Sequence, residues 1–327
     1  MSRVLVTGGA GTIGSAVVRR LLSDRHWEVR VADHRRPPLW MREGCEIRNA
    51  DLRDAHEAHA AVEGCSHVIH LAAIVGGIAN FHKLPFTLFE VNNALTGAVV
   101  HAAVDLDVER FVYVSSSMVF ERATEFPTTE GHLDACLAPR SAYGFSKLAG
   151  EVYTRAAHDE HSLRYTICRP FNAYGPGELP DVDEPGIAHA VPDLIHKALT
   201  GRRPLEIFGS GEQTRTITHV DDIADGIVTA MASPAGENED FNISASQELS
   251  IAELARVIWE ACGNDPGEFE LRHLPSFDVD VQRRWPSVEK ARRLLGWEAR
   301  VDLGDGLAET VAWLRDQERE AAVKSSL

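Results

Sequence analysis

The sequence predicts an α/β protein: a doubly wound parallel sheet followed by a smaller mixed α/β region. Three observations carry that prediction. Short β-branched runs alternate with segments of helical hydrophobic period through the first half, the rhythm of strand–helix–strand units. The first run ends on a cluster of glycines that opens a helix. After Pro170 the rhythm gives way to a proline- and glycine-rich stretch and then to short, scattered elements.

Taken in order, residues 3–7 (RVLVT) read as the first strand, and Ile13, Val17, Val18, Leu21 and Leu22 then recur at helical spacing. Residues 28–33 (EVRVAD) read as the second strand, 45–48 as a weak third and 66–72 (SHVIHLA) as a fourth, followed by a loop with Gly76 and Gly77. A helix over 92–103 leads to a fifth strand at 110–115 (RFVYVS), and a long helix over 142–158 leads to a sixth at 164–169. Residues 1–170 are therefore expected to form one domain and 171–327 a smaller region, with segments near 210–235 returning to the first. Residues 174–186 read as loop. Helices are expected over 191–200, 220–232, 251–262 and 288–295, and the polar tail over 317–327 is expected to fray.

Composition bounds the function. The chain has 327 residues, 44% hydrophobic and 25% charged, the balance of a globular protein rather than a disordered or fibrous one. No apolar run approaches the roughly 18 residues of a membrane span, and the glycine loop begins too early for a cleaved leader, so a cytoplasmic location is expected. A formal charge of −16 disfavours nucleic acid and anionic membranes. An anionic substrate would need a local cluster of arginines. Five cysteines are scattered and odd in number, with neither zinc-ligand spacing nor a disulfide framework, so no metal is expected.

Two motifs carry chemistry. In Thr7-Gly8-Gly9-Ala10-Gly11-Thr12-Ile13-Gly14, glycines at 8, 11 and 14 let the backbone approach a pyrophosphate at a helix N-terminus. Asp33 closes the next strand about 20 residues on, where an acid suits the adenosine ribose and favours NAD over NADP. Arg35 and Arg36 follow at once and would suit a 2′-phosphate. Together these imply a Rossmann-type domain. The second motif is Tyr143-Gly-Phe-Ser-Lys147, whose ends share one helical face, so that the Lys147 ammonium is expected to reach toward the Tyr143 phenol. The fifth strand ends in Ser115-Ser116-Ser117, a hydroxyl source for the substrate oxygen that Tyr143 would deprotonate.

With these residues in place, the chain resembles the extended short-chain dehydrogenase/reductase family, in its nucleotide-sugar epimerase/dehydratase branch, over nearly its whole length. The resemblance is carried by TGGAGTIG at 7–14, Asp51-Leu52, HLAA at 70–73, Asn92, VSSSMVF at 114–120, YGFSK at 143–147, RPFNAYGPG at 169–177, GSGEQTRTITHVDD at 209–222 and LLGW at 294–297. It implies a catalytic triad of Tyr143, Lys147 and Ser116. It implies cofactor contacts at Gly8, Gly11, Thr12, Ile13, Gly14 and Asp33, at Asp51 and Leu52 beside the adenine, and at Leu71, Ala72, Ala73 and Asn92. Pro170 and Phe171 would meet the nicotinamide. Ser117, Asn172, His189, Arg215 and Arg283 would contact a nucleotide-diphosphate sugar. It also implies a homodimer through helices over 93–104 and 143–158, with Ala98, Val99, Ala102, Ala149, Val152 and Ala156 at suitable spacing.

The residues after Ser116 discriminate within the branch. Its 4,6-dehydratases carry an Asp-Glu pair where this chain has Ser117-Met118, so elimination lacks its acid and base. AAIVGG at 72–77 and the stretch from His189 to Lys197 resemble GDP-fucose synthases and GDP-mannose 3,5-epimerases, but both carry a cysteine where Met118 stands, and a thioether exchanges no protons. The complete machinery is that for reversible oxidation at one carbinol carbon. A tightly bound NAD and 4-epimerisation of a nucleotide hexose, as in UDP-galactose 4-epimerases, is the expectation. The alternatives are a GDP-sugar 3,5-epimerase or 4-keto-sugar reductase using His189 as acid, and a non-catalytic NAD-binding scaffold.

Overall fold

In the computed structural model, which describes residues 2–181, 187–277 and 280–325, Val4, Leu5, Val6 and Thr7 are fully buried. A strand with no solvent on either face belongs at the centre of a parallel sheet covered by helices. That strand is β1 (Ser2–Thr7), and the glycines after it open α1 (Thr12–Ser23). The alternation continues through β2 (Trp27–Asp33), α2 (Leu39–Gly44), β3 (Glu46–Asn49), α3 (Ala55–Val62), β4 (His67–His70), α4 (Ile78–Lys83), α5 (Pro85–Asp105), β5 (Arg110–Val114), α6 (Ala142–His161) and β6 (Tyr165–Pro170). The second region adds β7 (Ala173–Tyr174), α7 (Ala190–Leu199), β8 (Leu205–Phe208), β9 (Thr214–Thr216), β10 (Thr218–His219), α8 (Val220–Ala232), β11 (Glu239–Ile243), β12 (Glu248–Ser250), α9 (Ile251–Ala261), β13 (Leu271–Leu274), β14 (Arg283–Arg284), α10 (Glu289–Leu295) and α11 (Leu303–Ser325).

Seven parallel strands form the main sheet in the order β11-β6-β5-β4-β1-β2-β3. Val17, Val18 and Leu21 of α1 pack with Ile223 and Ile227 of α8 over one face; Ala58 and Val62 of α3 pack with Val99 and Val100 of α5 over the other. Each such fully buried aliphatic side chain contributes about 1.5–3 kcal/mol. A third apolar cluster holds the second region together, with Ile195, Leu254, Ile258, Leu307 and Val311 at its centre.

The strand order reverses between β1 and β4, and ligands of such sheets bind in the crevice beyond the strand ends at that point. Thr7 fixes the crevice. Its Oγ1 accepts hydrogen bonds from the Leu71 and Ala72 amides at 3.1 and 3.2 Å, locking the end of β1 to the loop after β4. The fourth strand therefore stops at His70, short of the expected residue 72.

Several elements differ from expectation. Helices α2 and α3 add elements beyond those expected, α4 stands in the loop expected after the fourth strand, α5 begins at Pro85 rather than residue 92, and β11 adds a seventh strand just beyond the segment expected to return to the sheet. The tail does not fray through its described part: α11 runs to Ser325, because Leu307, Val311 and Leu314 form a buried stripe at helical spacing.

Candidate active site

A continuous cavity of about 1570 Å3 runs along the strand ends from Asp33 and Asp51, past the glycine loop, to Tyr143 and on to Arg215. Its cofactor end is built by close approach. Gly8 adopts φ +69°, and a Cβ there would lie 2.9 Å from the Ala72 backbone; one on Gly14 would lie 2.2 Å from the Gly8 carbonyl oxygen. Only glycine fits either position. The N-terminus of α1 carries no side-chain cap, so its amides stay available to an anion. Asp33 is buried at the end of β2, where its carboxylate accepts the Ala10 amide at 2.9 Å and the Arg35 amide at 2.9 Å. Asp51 is paired with Arg53, whose hydrogen bonds draw its carboxyl down to about 2, and Leu52 is buried beside it. Thr12, Ile13, Leu71, Ala72 and Ala73 line the same cavity. An uncapped helix start, a cradle closed to any Cβ and a buried acid at the next strand end together fit a dinucleotide.

Tyr143, Lys147 and Glu151 follow one another at successive turns of α6 and share its buried face. The Ser141 side chain caps the helix by accepting the Gly144 amide, and Glu121 in turn accepts the Arg140 and Ser141 amides. This clamp sets the first turn, and with it Tyr143, against the Ser117–Phe120 turn. Burial pushes the Tyr143 phenol up to about 12, while a hydrogen bond with Ser116 and the charge of Arg284 pull the other way. Phe81 of α4 stacks on the phenol ring at 4.9 Å. Lys147 is the point of departure from expectation. Its ammonium donates to the Val114 carbonyl at 2.9 Å rather than reaching the phenol, and burial brings its pKa down to about 8. The backbone carbonyl at the end of β5 holds it beside, not on, Tyr143.

On the substrate side, Ser117, Asn172, His189 and Arg215 line the cavity with Pro170. Arg215 is partly buried and pairs with Asp280 at 3.1 Å. His189 lies with Nδ1 2.7 Å from Glu178 Oε1, and its amide donates to the same oxygen. Burial disfavours the charged ring, but the Glu178 charge and hydrogen bond outweigh it, and the His189 pKa is raised.

Three expected site residues lie elsewhere. Phe171 is buried against Phe120, away from the cavity. Asn92 sits behind it, accepting the Ile74 amide at 2.8 Å and donating to the Ile74 carbonyl, so it braces the loop after β4. Arg283 is on the surface, in a two-bond pair with Glu248 and stacked on Trp285. Adjacent strand residues face opposite ways, and it is Arg284 that enters the cavity. Arg284 donates to Asn172 Oδ1 at 3.1 Å and approaches Met118 Sδ at 2.9 Å. The Arg-Arg dipeptide signalled it, but a strand of two residues offers no pattern to phase.

Residues 4–244 match the NAD dependent epimerase/dehydratase family. The chain belongs to that family. Among curated relatives, it is 35% identical over 323 residues to a UDP-glucose 4-epimerase of Mycolicibacterium smegmatis, covering 96% of this chain and 99% of the relative. Among solved structures, the UDP-glucose 4-epimerase of Thermotoga maritima with UDP-glucose superposes with a TM-score of 0.86 at 28% identity, covering 97% and 99% of the two chains. The UDP-glucose 4-epimerase of Thermus thermophilus in complex with NAD gives 0.82 at 27%, covering 96% and 99%. This family member thus carries the nucleotide-sugar epimerase fold from end to end, and its glycine loop, Ser116, Tyr143, Lys147 and Arg215 line one cavity.

Proposed function

We propose that the protein interconverts C4 epimers of a nucleotide-diphosphate hexose. The observation that carries this reading is the placement of Tyr143 and Ser116 at the junction between the glycine cradle and the arginine-lined half of the cavity. Bound NAD would supply the two-electron acceptor and donor at C4. Tyr143, as phenolate, takes the C4 hydroxyl proton, Ser116 hydrogen-bonds the same oxygen, and Lys147 contributes positive charge beside them. Tyr143 then returns the proton after the 4-keto sugar has turned over in the cavity. Met118, which accepts from Arg284, has no proton to give an elimination.

The chain's own contacts support a retained cofactor. Gly177 packs over Thr12 with a Cβ position only 3.3 Å from the Thr12 Cα, and Gly77 donates to the Ile187 carbonyl, so the second region closes over the cradle. The buried Asp33 carboxylate would repel a 2′-phosphate, which favours NAD over NADP, although Arg35 lies against it. Five free cysteines suit a reducing cytoplasm, and no helix among the described residues is long and apolar enough to cross a membrane. A homodimer through α5 and α6 completes the reading.

One observation favours a second chemistry. The His189–Glu178 pair lines the same cavity, and Glu178 favours the protonated ring, the form that would serve enolisation beside a ketone. Incubation of UDP-, GDP- and dTDP-sugars with the enzyme in D2O, followed by separation of isomers and mass measurement, decides between them. A new isomer of unchanged mass is the expected result; deuterium gained in the isomer would transfer the chemistry to C3 or C5 and to His189.

A further inference from the structure

Arg215 and Arg284 are register partners on the neighbouring parallel strands β9 and β14, so two guanidiniums enter the cavity side by side. Their surroundings differ. Arg215 is matched by Asp280 at 3.1 Å. Arg284, among the described residues, has no carboxylate within ion-pair distance: its two Nη groups meet the Asn172 amide oxygen and the Met118 sulfur, and its Nε is enclosed without a partner. A thioether is a weak acceptor, and a guanidinium is a planar fork made for an anion. Among the described residues, this cation in the cavity therefore has no paired carboxylate of its own, and the Asp280 and Glu121 charges reach it only from beyond ion-pair distance.

The place of that cation narrows the anion. Met118 stands two residues beyond Ser116, and the Arg284 charge acts on the Tyr143 phenol, so the guanidinium head lies at the reacting end of the cavity. A sugar held with its C4 hydroxyl at Tyr143 and Ser116 directs C1, and the diphosphate on it, to the far side of the ring. The groups beside C4 are those on C3 and C5. The exocyclic carbon on C5 becomes anionic when it is a carboxylate.

We propose that Arg284 is a carboxylate receptor and that the sugar this enzyme takes is a uronic acid, with the C6 carboxylate seated on the guanidinium in place of the Met118 sulfur. This rests on the epimerase reading for the position of C4. A bidentate arginine–carboxylate contact sets the ring's orientation as well as its affinity. A neutral hexose would leave the guanidinium without an anion, and sites built for a polar partner discriminate strongly against analogues that lack it.

Binding and turnover test the two layers separately. Full-length protein loaded with NAD is titrated calorimetrically with UDP-glucose and UDP-glucuronate, and with GDP-mannose and GDP-mannuronate. The expected result is that on at least one nucleotide the uronate binds about 100-fold more tightly than its neutral partner, the scale of a charged hydrogen-bonded contact. Arg284→Gln removes that preference, lowering uronate affinity far more than neutral-sugar affinity. Arg284→Lys, which keeps the charge but not the fork, retains part of it. Equal affinities, a loss of both sugars alike in Arg284→Gln, or no binding of either uronate overturns the proposal; a parallel loss would make Arg284 a diphosphate clamp. Turnover reads the underlying reaction: a C4-epimeric uronate upholds both layers. Release of CO2 with a nucleotide pentose would mean that the 4-keto acid lost its carboxyl at the C5–C6 bond, the electron pair passing into the enolate and C5 taking a proton. That outcome upholds the receptor and overturns the epimerase reading.

Discussion

In the proposed reaction Tyr143 works only as an anion, and its surroundings in the protein alone oppose that form: burial pushes the phenol up to about 12. The positive charge of an oxidised nicotinamide, the Ser116 hydroxyl and Arg284 must together bring it down. Because the phenolate is the active form, kcat/KM of the NAD-loaded enzyme rises with pH up to the phenol's pKa. Ser116→Ala, by removing a stabilising hydrogen bond, moves that limb to higher pH; a limb in the wild-type position would remove Ser116 from the role. Tyr143→Phe lowers kcat by about 100- to 10,000-fold, the range of a lost general base, with bound NAD unchanged. A second residue reports on stability. His70 is fully buried between Thr7 and Thr96, and burial brings its pKa down to about 3. Above pH 6.5 it is neutral folded or unfolded and contributes no slope. Below that pH the unfolded chain takes up the proton first, so stability falls as the pH drops from 6.5 toward 3, by at most about 1.4 kcal/mol per pH unit from this group. Denaturant titrations of wild type and His70→Gln at pH 7, 6 and 5 check this, the variant being the flatter. At this scale the glycine loop and the Tyr143 pair were legible, because their residue types have few other uses in that order. Arg284 and Glu178 were not: each acts through a partner distant in sequence.

Helix α6 connects the triad to the sheet. Glu151, two turns beyond Tyr143, accepts the Ser115 hydroxyl at 2.6 Å and both arms of Arg169 at 2.8 and 2.7 Å, with Asp240 of β11 completing the network. Both Glu151 and Arg169 are fully buried. Glu151→Ala leaves Arg169 short of a counter-ion in the interior and is expected to lower unfolding free energy by about 3–5 kcal/mol; a loss below about 1 kcal/mol would show that Asp240 alone suffices. The glycine loop makes the complementary case for ligand binding. In Gly14→Ala the new methyl meets the Gly8 carbonyl, the loop must open, and the purified variant should come without NAD when its absorbance and nucleotide content are measured. Strands were legible where the chain is buried on both faces, as in β1, β5 and β6. Short elements escaped for physical reasons: α2 and α4 are six residues each, too few to display a period, and β11, although it follows α8 after a short turn, is five residues with only Phe241 and Ile243 apolar. Helix α11 carried its signal in Leu307, Val311 and Leu314, diluted by a polar surface.

Assembly depends on which faces the folded chain leaves uncovered. Val99 and Ala102, expected at a subunit interface, are instead buried within the chain, where the stripe they form on α5 covers the sheet beside α3. Spacing alone could not tell these two uses apart, since a helix that covers a sheet and also meets a partner needs apolar residues on both sides. The outer sides of α5 and α6 expose a different set: Phe86, Phe89, Phe145, Val152 and Tyr153, of which Val152 is 60% and Phe86 79% exposed. Phe89 and Phe145 contact each other across the two helices at 5.9 Å and border the cavity, while Val152 and Tyr153 lie further along α6. Large exposed apolar patches mark association sites in soluble proteins. Paired with a second copy, α5 and α6 would form a four-helix bundle that also shields the helix carrying Tyr143. The purified protein is therefore expected to sediment as a dimer of the 35.9 kDa chain. Val152→Glu, a change on the exposed face far from the cavity, should shift it to monomer at micromolar concentration while leaving NAD bound. A wild-type chain that sediments as a monomer, or a Val152→Glu variant that stays dimeric, would place the interface elsewhere and leave that apolar face to another partner.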